Sequence, residues 1–298
     1  MPINLLLSLV LVNSEGIEVD KSKTEVETVW RASFTMDLQE RLTILKPLIQ
    51  QAAQIALAKF GHICGDNKAD GTFVTQADQE VEAYLIKGLQ SYFPKENIVG
   101  EETGWHQAAS DYIWSIDPID GTSAYLCRLP TWGISIGLIK GNEPILGIVY
   151  LPVLNELYWG ARGLGAYVES PLFGLQKLDI KKVDLRQKEH LLLVPSTFHH
   201  RYDASKYHGK VRSLGSTVIH ALTVARGDAS GAFMRIYHWD VAGVLPILFE
   251  AGGCVDTLEG IPFNIRDLTK DNPKLPTLIL SNPQDREALL TNLLPLKN

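Results

Sequence analysis

The feature that most constrains the fold is a hydrophobic segment that ends in two carboxylates three residues apart. Residues 113–116, Ile-Trp-Ser-Ile, have the character of a buried strand and lead directly into Asp117-Pro118-Ile119-Asp120-Gly121-Thr122. Pro118 stiffens the turn between the aspartates. Two anionic side chains that converge there repel each other unless a cation lies between them, and carboxylate and carbonyl oxygens suit Mg²⁺, Mn²⁺ or Ca²⁺. The hexapeptide therefore indicates either a metal site at a strand end or an Asp-rich turn with a helix cap.

The residues after the second aspartate have the features of an anion site. Gly121 allows a ligand to approach the backbone where a side chain would block it. The amides of Gly121, Thr122 and Ser123 can then bind phosphate oxygens, as amides do at the N-terminus of a helix.

Two further acidic motifs are ambiguous when each is taken alone. Glu101 and Glu102 are adjacent, and adjacent side chains point apart in a strand, so only one of them is expected to enter a shared site. A solvated charge pair is the alternative for this motif. Asp240 lies in Trp-Asp-Val-Ala-Gly at the start of an apolar helix, where it is either a ligand or a plain N-cap.

Hydrophobic periodicity predicts a helix over residues 37–60 with a kink or break at Pro47. A Thr-x-x-Asp pattern at Thr75 and Asp78 predicts the start of a second helix. This helix is expected to carry an apolar stripe, made of Val81, Tyr84, Leu85 and Leu89. A single helix is also predicted from about Asp240 to Ala251.

The chain divides into three expected parts. Residues 1–35 are interpreted as an N-terminal extension, or as sequence upstream of a start at Met36, because helical periodicity begins just after that residue. Residues 36–184 form an α+β part that carries the metal site. Residues 185–298 alternate strand and helix patterns and form an α/β part that completes the cleft.

Charge and cysteine content exclude several classes of function. The formal net charge is -6 and no basic run stands out, which disfavours a nucleic-acid binder and a peripheral membrane protein. The three cysteines have no Cys-x-x-Cys spacing, so that a disulfide scaffold or a thiolate zinc site is not expected. We interpret the three cysteines as small buried residues of a protein in the reducing cytoplasm.

In combination, the acidic motifs resemble the inositol monophosphatase superfamily of Mg²⁺-dependent, often lithium-inhibited phosphatases. The hallmark is an Asp, then Glu-Glu, then Asp-Pro-Ile-Asp-Gly-Thr, then Trp-Asp-x-Ala-Gly. This chain has all four in that order: Asp78, Glu101-Glu102, residues 117–122 and residues 239–243. The resemblance runs from about Met36 onward and implies an α/β fold of stacked layers, the αβαβα sandwich of the sugar-phosphatase type, usually as a homodimer.

The resemblance also implies a set of site residues and two or three Mg²⁺ ions, with Mn²⁺ as an alternative. The expected metal ligands are Glu101, Asp117, the carbonyl of Ile119, Asp120 and Asp240. Thr122, oriented in part by Asp78, works with Glu101 to position the attacking water. The expected substrate contacts are Gly121, Thr122, Ser123, Gly215, Ser216 and Arg235.

These assignments agree with the chemistry of phosphate ester hydrolysis, in which an anion must accept an oxygen nucleophile. Metal ions cancel negative charge, lower the pKa of the water and stabilise the leaving oxygen. Positioning and electrostatics then matter more than a covalent nucleophile. We therefore expect hydrolysis of a small phosphate monoester by direct attack of metal-activated water.

The substrate is less well defined, because the chain departs from the inositol-type pattern. Ala124 and Cys127 stand where those members carry Asn and His, and residues 233–238 lack the carboxylate that binds a sugar hydroxyl. Arg235 either pairs with a second anionic group on the substrate or is a surface arginine. Histidinol-phosphatase, fructose-1,6-bisphosphatase and 3′-phosphoadenosine-phosphate phosphatase remain alternatives. A non-catalytic, phosphometabolite-binding regulator is disfavoured because the expected metal ligands and Thr122 are all present.

Overall fold

The computed structural model describes residues 11–12, 18–19, 36–68, 73–180, 191–234, 237–258, 277–292 and 294–295. The chain separates into two compact units, residues 1–41 and residues 42–298. The expected N-terminal extension lies outside the described residues apart from strands β1 (Leu11–Val12) and β2 (Glu18–Val19), which pair with each other. The expected boundary near residue 185 also lies outside them and stays a prediction.

Helices follow one another along the chain as α1 (Leu38–Lys59), α2 (Gln76–Tyr92), α3 (Thr122–Leu126), α4 (Thr217–Ala225), α5 (His238–Ala242), α6 (Leu245–Glu250) and α7 (Arg286–Asn292). None of these described helices is both long enough and apolar enough to cross a membrane.

The larger sheet has eight strands, which are β5 (Asn97–Gly100), β6 (Gly104–His106), β7 (Tyr112–Asp120), β8 (Gly133–Lys140), β9 (Glu143–Leu151), β10 (Glu156–Ala161), β11 (Gly165–Ser170) and β12 (Gly174–Leu178). Their spatial order is β12-β11-β10-β9-β8-β7-β5-β6. Only the β5–β7 pair is parallel. Strands β8 and β9 form a hairpin around the Gly141-Asn142 turn.

The smaller sheet contains β13 (Leu191–Leu193), β15 (Lys210–Arg212), β16 (Gly231–Met234), β17 (Cys254–Thr257) and β18 (Leu278–Ser281). Its order is β15-β13-β16-β18-β17, and β13 runs parallel to both of its neighbours. Two short pairs complete the description, β3 (Asp66–Asn67) with β4 (Phe73–Val74) and β14 (Tyr202–Asp203) with β19 (Leu294–Pro295).

Helices and sheets alternate in layers. Helices α1 and α2 cover one face of the larger sheet, where Lys46 lies 3.3 Å above the Trp159 ring. Helices α4, α5 and α6 lie between the two sheets and share a single hydrophobic core with both of them. Helix α7 covers the outer face of the smaller sheet, where Leu289 packs with Phe233 and Ile279.

A row of glycines lets the middle helices lie directly on the larger sheet. Gly137, Gly147 and Gly160 face one another across β8, β9 and β10. A Cβ atom at Gly137 or Gly147 would collide with the backbone of Ala242 or Gly243, and one at Gly160 would lie 2.7 Å from the Cα of Ile247. The row therefore sets the depth at which α5 and α6 pack against the sheet.

Several local predictions are confirmed and others are wrong. Thr75 and Asp78 form the predicted capping box of α2. Helix α1 continues without a break through Pro47. The single helix expected from Asp240 is two, α5 and α6, because Pro246 has no N–H to donate to the carbonyl of Ala242 four residues earlier.

The predicted apolar stripe of α2 contains one error. Tyr84 is 37% exposed, whereas Glu82 is fully buried. Glu82 can be buried because its two carboxylate oxygens accept hydrogen bonds from the amides of Glu102 at 2.9 Å and Thr103 at 2.8 Å. A helical pattern of apolar residues does not reveal a polar partner that lies twenty residues away.

Candidate metal centre

Three aspartates from distant parts of the chain meet at one cavity. Asp117 and Asp120 come from the end of β7, and Asp240 comes from the first turn of α5. Each offers a carboxylate oxygen that lies within 4.8 Å of those of the other two. The strand register shifts between Asp117 and Asp120, and this irregularity lets two residues of opposite parity reach the same side.

The cavity has a volume of about 390 Å³. The described side chains and backbone segments that line it belong to Lys68, Phe73, Glu101, Asp117, Ile119, Asp120, Gly121, Thr122, Ser123, Gly215, Thr217, Tyr237, Trp239 and Asp240. All the metal ligands expected from the sequence are therefore at this one cavity.

Asp117 is the carboxylate with the fewest partners. It is 1% exposed, and its Oδ1 atom is buried without a hydrogen-bond partner. Burial, and then the negative charges of Glu101, Asp120 and Asp240, raise the pKa of Asp117 well above its ordinary value. A buried acceptor without a partner is costly, and a cation bound at Oδ1 would remove that cost.

Asp120 is held by the start of α4. The amides of Thr217 and Val218 each donate to its carboxylate at 3.1 Å, and the Ser216 hydroxyl donates to Oδ2. Burial raises the pKa of Asp120 to about 6, although these hydrogen bonds act in the opposite direction. The turn at Gly215-Ser216-Thr217, which leads into α4, thus orients a residue that the sequence predicts to be a metal ligand.

Ser216 is also the N-cap of α4, because its Oγ accepts from the amide of Ile219 at 3.2 Å. Its hydroxyl proton goes to Asp120 and its lone pair to the helix. The hydroxyl is thus fully engaged within the protein, and direct binding of substrate by Ser216 stays a prediction.

Asp240 has a structural contact as well as a place in the cavity. Its Oδ2 atom accepts from the backbone amide of Tyr237 at 2.6 Å, which closes the first turn of α5. Burial and the neighbouring charge of Asp120 raise its pKa well above the usual range. The N-cap of α5 is Tyr237, so that Asp240 is not the plain N-cap considered from the sequence, and its role as a metal ligand stays a prediction.

Glu101 lines the same cavity and forms an ion pair. Lys68 Nζ lies 2.7 Å from Glu101 Oε1 and 2.6 Å from Glu102 Oε1. Burial raises the pKa of Glu101 to about 7, against the opposing charge of Lys68. Glu82 stabilises the turn that carries Glu101, because its carboxylate accepts hydrogen bonds from the amides of Glu102 and Thr103. Sequence analysis did not identify Glu82.

The Thr122 hydroxyl lies between a backbone carbonyl and a buried carboxylate at the cavity. Its Oγ1 atom is 3.2 Å from the carbonyl of Ile119 and 3.4 Å from Asp78 Oδ1. The other oxygen of Asp78 accepts from the amide of Thr75 at 2.8 Å and from its hydroxyl at 2.6 Å. Asp78 therefore links the cap of α2 to Thr122.

Gly121 immediately precedes α3 and adopts a φ of +88°, a conformation that glycine reaches without steric cost. A Cβ atom there would lie 3.0 Å from the Gly215 carbonyl. This turn brings the first amides of α3, which have no partner inside the helix, to the cavity. Arg235, predicted as a substrate contact, lies outside the described residues.

The donor set suits a hard divalent cation. The oxygens are carboxylates with one backbone carbonyl, and no sulfur or imidazole is among the described lining groups. Such ligands favour Mg²⁺, Mn²⁺ or Ca²⁺. The unpartnered Asp117 Oδ1 and the raised pKa values fit a carboxylate cluster that binds a divalent cation.

Comparison with known proteins extends this picture. A model of the inositol monophosphatase family matches residues 37–291. A protein of Aquifex aeolicus named fructose-1,6-bisphosphatase/inositol-1-monophosphatase is 35% identical over 261 residues, which cover 82% of this chain and 95% of the relative. A histidinol-phosphatase of Chlorobaculum parvum is 36% identical over 228 residues, covering 74% and 85%. The solved structure of Thermotoga maritima IMPase aligns with a TM-score of 0.72 at 25% identity, covering 85% and 96%.

Proposed function

This chain belongs to the inositol monophosphatase family, and we propose that it hydrolyses a small phosphorylated metabolite at a Mg²⁺ centre made by Glu101, Asp117, Asp120 and Asp240. The family, the αβ sandwich and the phosphatase activity expected from the sequence are confirmed. The observation that carries the proposal is the group of three aspartates, two buried and one half-buried, whose oxygens lie within 4.8 Å of one another.

Two or three Mg²⁺ ions are proposed, with Mn²⁺ as a substitute. Glu101, Asp117 and the Ile119 carbonyl would hold the first, and Asp117, Asp120 and Asp240 the second. When bound, the metal neutralises charge on the phosphate and lowers the pKa of the attacking water. A divalent cation also gives the buried Asp117 Oδ1 atom the partner that it lacks.

The chain itself would position the reactants. Thr122 and Glu101 hold the water, and Asp78 orients the Thr122 hydroxyl through the 3.4 Å contact. The amides of Gly121, Thr122 and Ser123 bind phosphate oxygens at the start of α3. Because a metal-activated water makes a covalent nucleophile unnecessary, we expect water to attack the phosphate directly. Trapping of a phosphorylated protein during turnover would contradict this expectation.

Inositol monophosphate is the first substrate to test. The relatives named above also include a histidinol-phosphatase and a fructose-1,6-bisphosphatase, and 3′-phosphoadenosine 5′-phosphate completes the panel. Release of inorganic phosphate, measured colorimetrically with and without Mg²⁺, compares these substrates directly. Failure to release phosphate from every member of the panel with Mg²⁺ present would sink the proposal.

Asp120→Asn tests the metal centre separately. It keeps the shape of the side chain but removes its charge, so that Mg²⁺ affinity should fall at least tenfold, as measured by isothermal titration calorimetry. Asp203→Asn is the matched control, because Asp203 is exposed and is not a described residue of the cavity lining. Equal Mg²⁺ affinity of the two variants would contradict the assignment of Asp120.

Three further properties are proposed: inhibition by lithium and a homodimer, which the family resemblance implies, and a cytoplasmic location, which follows from the interpretation of the cysteines. The first is measured by adding LiCl to the phosphate-release assay. The second is measured by size-exclusion chromatography with light scattering, and the third by fractionation of the native cells.

A further inference from the structure

A second cavity of metabolite size lies at the far edge of the larger sheet, where β10, β11 and the edge strand β12 approach the C-terminal end of α4. Its volume is about 390 Å³, which equals the liquid volume of about thirteen water molecules. Among the described residues, it shares no lining residue with the metal centre. A ligand bound there would therefore be a molecule other than the phosphate substrate.

Glu156 brings a buried carboxylate with one unpartnered oxygen to this cavity. Its side chain is 7% exposed, and its Oε2 atom accepts from the Tyr158 hydroxyl at 2.6 Å. Burial raises the pKa of Tyr158, so that the phenol keeps the proton that it donates. The other oxygen, Oε1, accepts a hydrogen bond from no residue in the described part of the chain. Since a buried carboxylate oxygen needs a donor, Oε1 is suited to accept one from a ligand.

Arg226 lies beside Glu156 but is bound mainly by Asp228. Its Nε atom donates to Asp228 Oδ2 at 2.7 Å, and its Nη2 atom lies 2.5 Å from the same oxygen. Its Nη1 atom donates to the Tyr158 hydroxyl at 3.2 Å and lies 3.8 Å from Glu156 Oε2, which is beyond hydrogen-bond distance. The guanidinium therefore does not supply the missing donor.

Lys177 also lines the cavity, but its side chain points to the opposite face of the sheet. Tyr158 and Val168 are paired on the cavity face. Lys177 is paired with Tyr167, the neighbour of Val168 along β11, and successive side chains of a strand point to opposite faces. In agreement, the Lys177 Cε atom lies 3.2 Å from the place that a Cβ atom of Gly165 would take. The ammonium group of Lys177 is thus directed away from the Glu156 carboxylate.

Negative charge therefore exceeds positive charge on the cavity side. Asp179 and Asp228 add two carboxylates to that of Glu156, and Arg226 is the one cation on this side among the described lining residues. A cationic ligand reduces this imbalance, whereas an anionic ligand increases it.

The cavity also has an apolar wall. Val168 and Leu178 are 4% and 6% exposed, and the Phe173 ring, at the turn between β11 and β12, is 55% exposed. The exposed ring gives the hydrocarbon part of a ligand a surface to cover, and an aromatic face also attracts an ammonium group.

We propose that this cavity binds a small primary alkylammonium ion, whose ammonium group donates to Glu156 Oε1 and whose hydrocarbon chain packs on Phe173. A metal ion is disfavoured, because Arg226 already contacts both Glu156 and Asp228. The inference does not depend on the phosphatase function, and it assigns the protein a second ligand class.

The test measures binding of n-butylammonium chloride to the full chain by ligand-detected NMR titration. Two compounds of similar size isolate the proposed contact. 1-Butanol keeps the chain and a hydroxyl but has no charge, and tetramethylammonium keeps the charge but has no N–H donor. We expect n-butylammonium to bind at least about tenfold more tightly than either compound. Saturating Mg²⁺ in all titrations keeps the cation out of the metal centre.

Three variants locate the site. Glu156→Gln still accepts from Tyr158 through its amide oxygen but presents an N–H₂ group to the ligand, so that affinity should fall about 10- to 100-fold. Phe173→Ser alters an exposed residue, which leaves folding intact, and should lower affinity about two- to fivefold. Glu143→Gln is the matched control, because Glu143 lies on β9 with its side chain 67% exposed, and it should bind as the wild type does. The midpoint of thermal unfolding shows whether each variant is folded.

Several results would overturn the inference. Absence of n-butylammonium binding to the wild type would do so, as would equal affinity for 1-butanol or tetramethylammonium. An equal loss of affinity in Glu143→Gln and Glu156→Gln would show general attraction to an acidic surface. Binding that disappears when Mg²⁺ is added would place the cation at the metal centre instead. If Glu156→Gln does not fold, unchanged affinity in Phe173→Ser is the result that refutes the site.

Discussion

Removal of the Thr122 hydroxyl is the small substitution that we expect to reduce turnover most. Thr122→Val keeps the shape of the side chain but removes the hydroxyl that faces Asp78. Because positioning and proton transfer at the water are lost, we expect kcat to fall about 10²- to 10⁴-fold while Mg²⁺ affinity is retained. Steady-state kinetics and calorimetry measure the two effects.

Thr122→Ser is the matched variant, since it restores the hydroxyl and should recover most of the activity. Full turnover by the valine variant would show that this hydroxyl does not position the water. A joint loss of turnover and of Mg²⁺ binding would assign Thr122 to the metal centre instead.

Glu82 acts on the site through a backbone turn. Glu82→Gln replaces one acceptor with an N–H₂ group that faces an amide donor, so that the turn with Glu101 loses a hydrogen bond. We expect Mg²⁺ affinity to fall about 10- to 100-fold, as measured by calorimetry. Glu80→Gln is the control, because Glu80 lies on the same helix with its side chain 42% exposed, and among the described residues it pairs only with Lys59 and Gln76. Identical affinities would limit Glu82 to a structural role.

At the residue scale, the sequence predicted which carboxylates meet at one cavity but not which residues hold them in place. Asp117, Asp120 and Asp240 stand in short motifs whose order is diagnostic. The donors to Asp120 lie about one hundred residues further along the chain. Glu82 could not be identified from the sequence for a similar reason, because its partners, Glu102 and Thr103, lie in a different part of the chain. Contacts of this kind depend on tertiary packing, which no local pattern encodes.

At the scale of elements, the glycine row of the larger sheet is the feature that positions Asp240. Gly147→Ala would place a methyl group against the carbonyl of Gly243. Overpacking of this kind costs about 1–3 kcal/mol, which urea denaturation measures. Since α5 must move away from the sheet, Mg²⁺ affinity should fall as well.

Gly141→Ala provides the comparison for this substitution. Gly141 lies in the β8–β9 turn with a φ of +58°, and no atom lies near its would-be Cβ. It should lose stability through backbone strain but keep its Mg²⁺ affinity. If Gly147→Ala binds Mg²⁺ as tightly as Gly141→Ala does, the sheet does not set the position of Asp240.

Element type was more predictable than element arrangement. The capping box at Thr75, the β8–β9 hairpin and α4 follow from patterns within about ten residues. The break between α5 and α6 could have been found from Pro246, which lies inside the apolar run. By contrast, the order of the strands in the two sheets depends on pairings between distant segments. Periodicity by itself therefore did not give the fold class, which followed only when the family motifs were added.

For the whole molecule, the acidic centre should couple stability to pH when metal is absent. The folded pKa values of Glu101 and Asp120 are about 7 and 6, against ordinary values of 4.5 and 3.8. The folded state thus binds more protons than the unfolded state in this window, and the free energy of unfolding falls as pH rises. In EDTA, the midpoint of thermal unfolding should drop between about pH 5 and pH 8.

Added Mg²⁺ should reverse that loss, and more so at the higher pH, because the metal binds deprotonated carboxylates. Asp117→Asn removes one buried charge and should show both a shallower pH dependence in EDTA and a smaller response to Mg²⁺. A metal-free wild type that becomes more stable across this range would contradict the coupling.

The two contacts of the Asp78 carboxyl group would affect how substitutions at this position are ranked in a large mutational survey. One of its oxygens closes the first turn of α2 and the other faces Thr122. A survey scored by cellular abundance would count this position as architectural, whereas one scored by growth that depends on the enzyme's activity would count it as mechanistic. Neither score could separate the two contributions, because a single carboxyl group makes both.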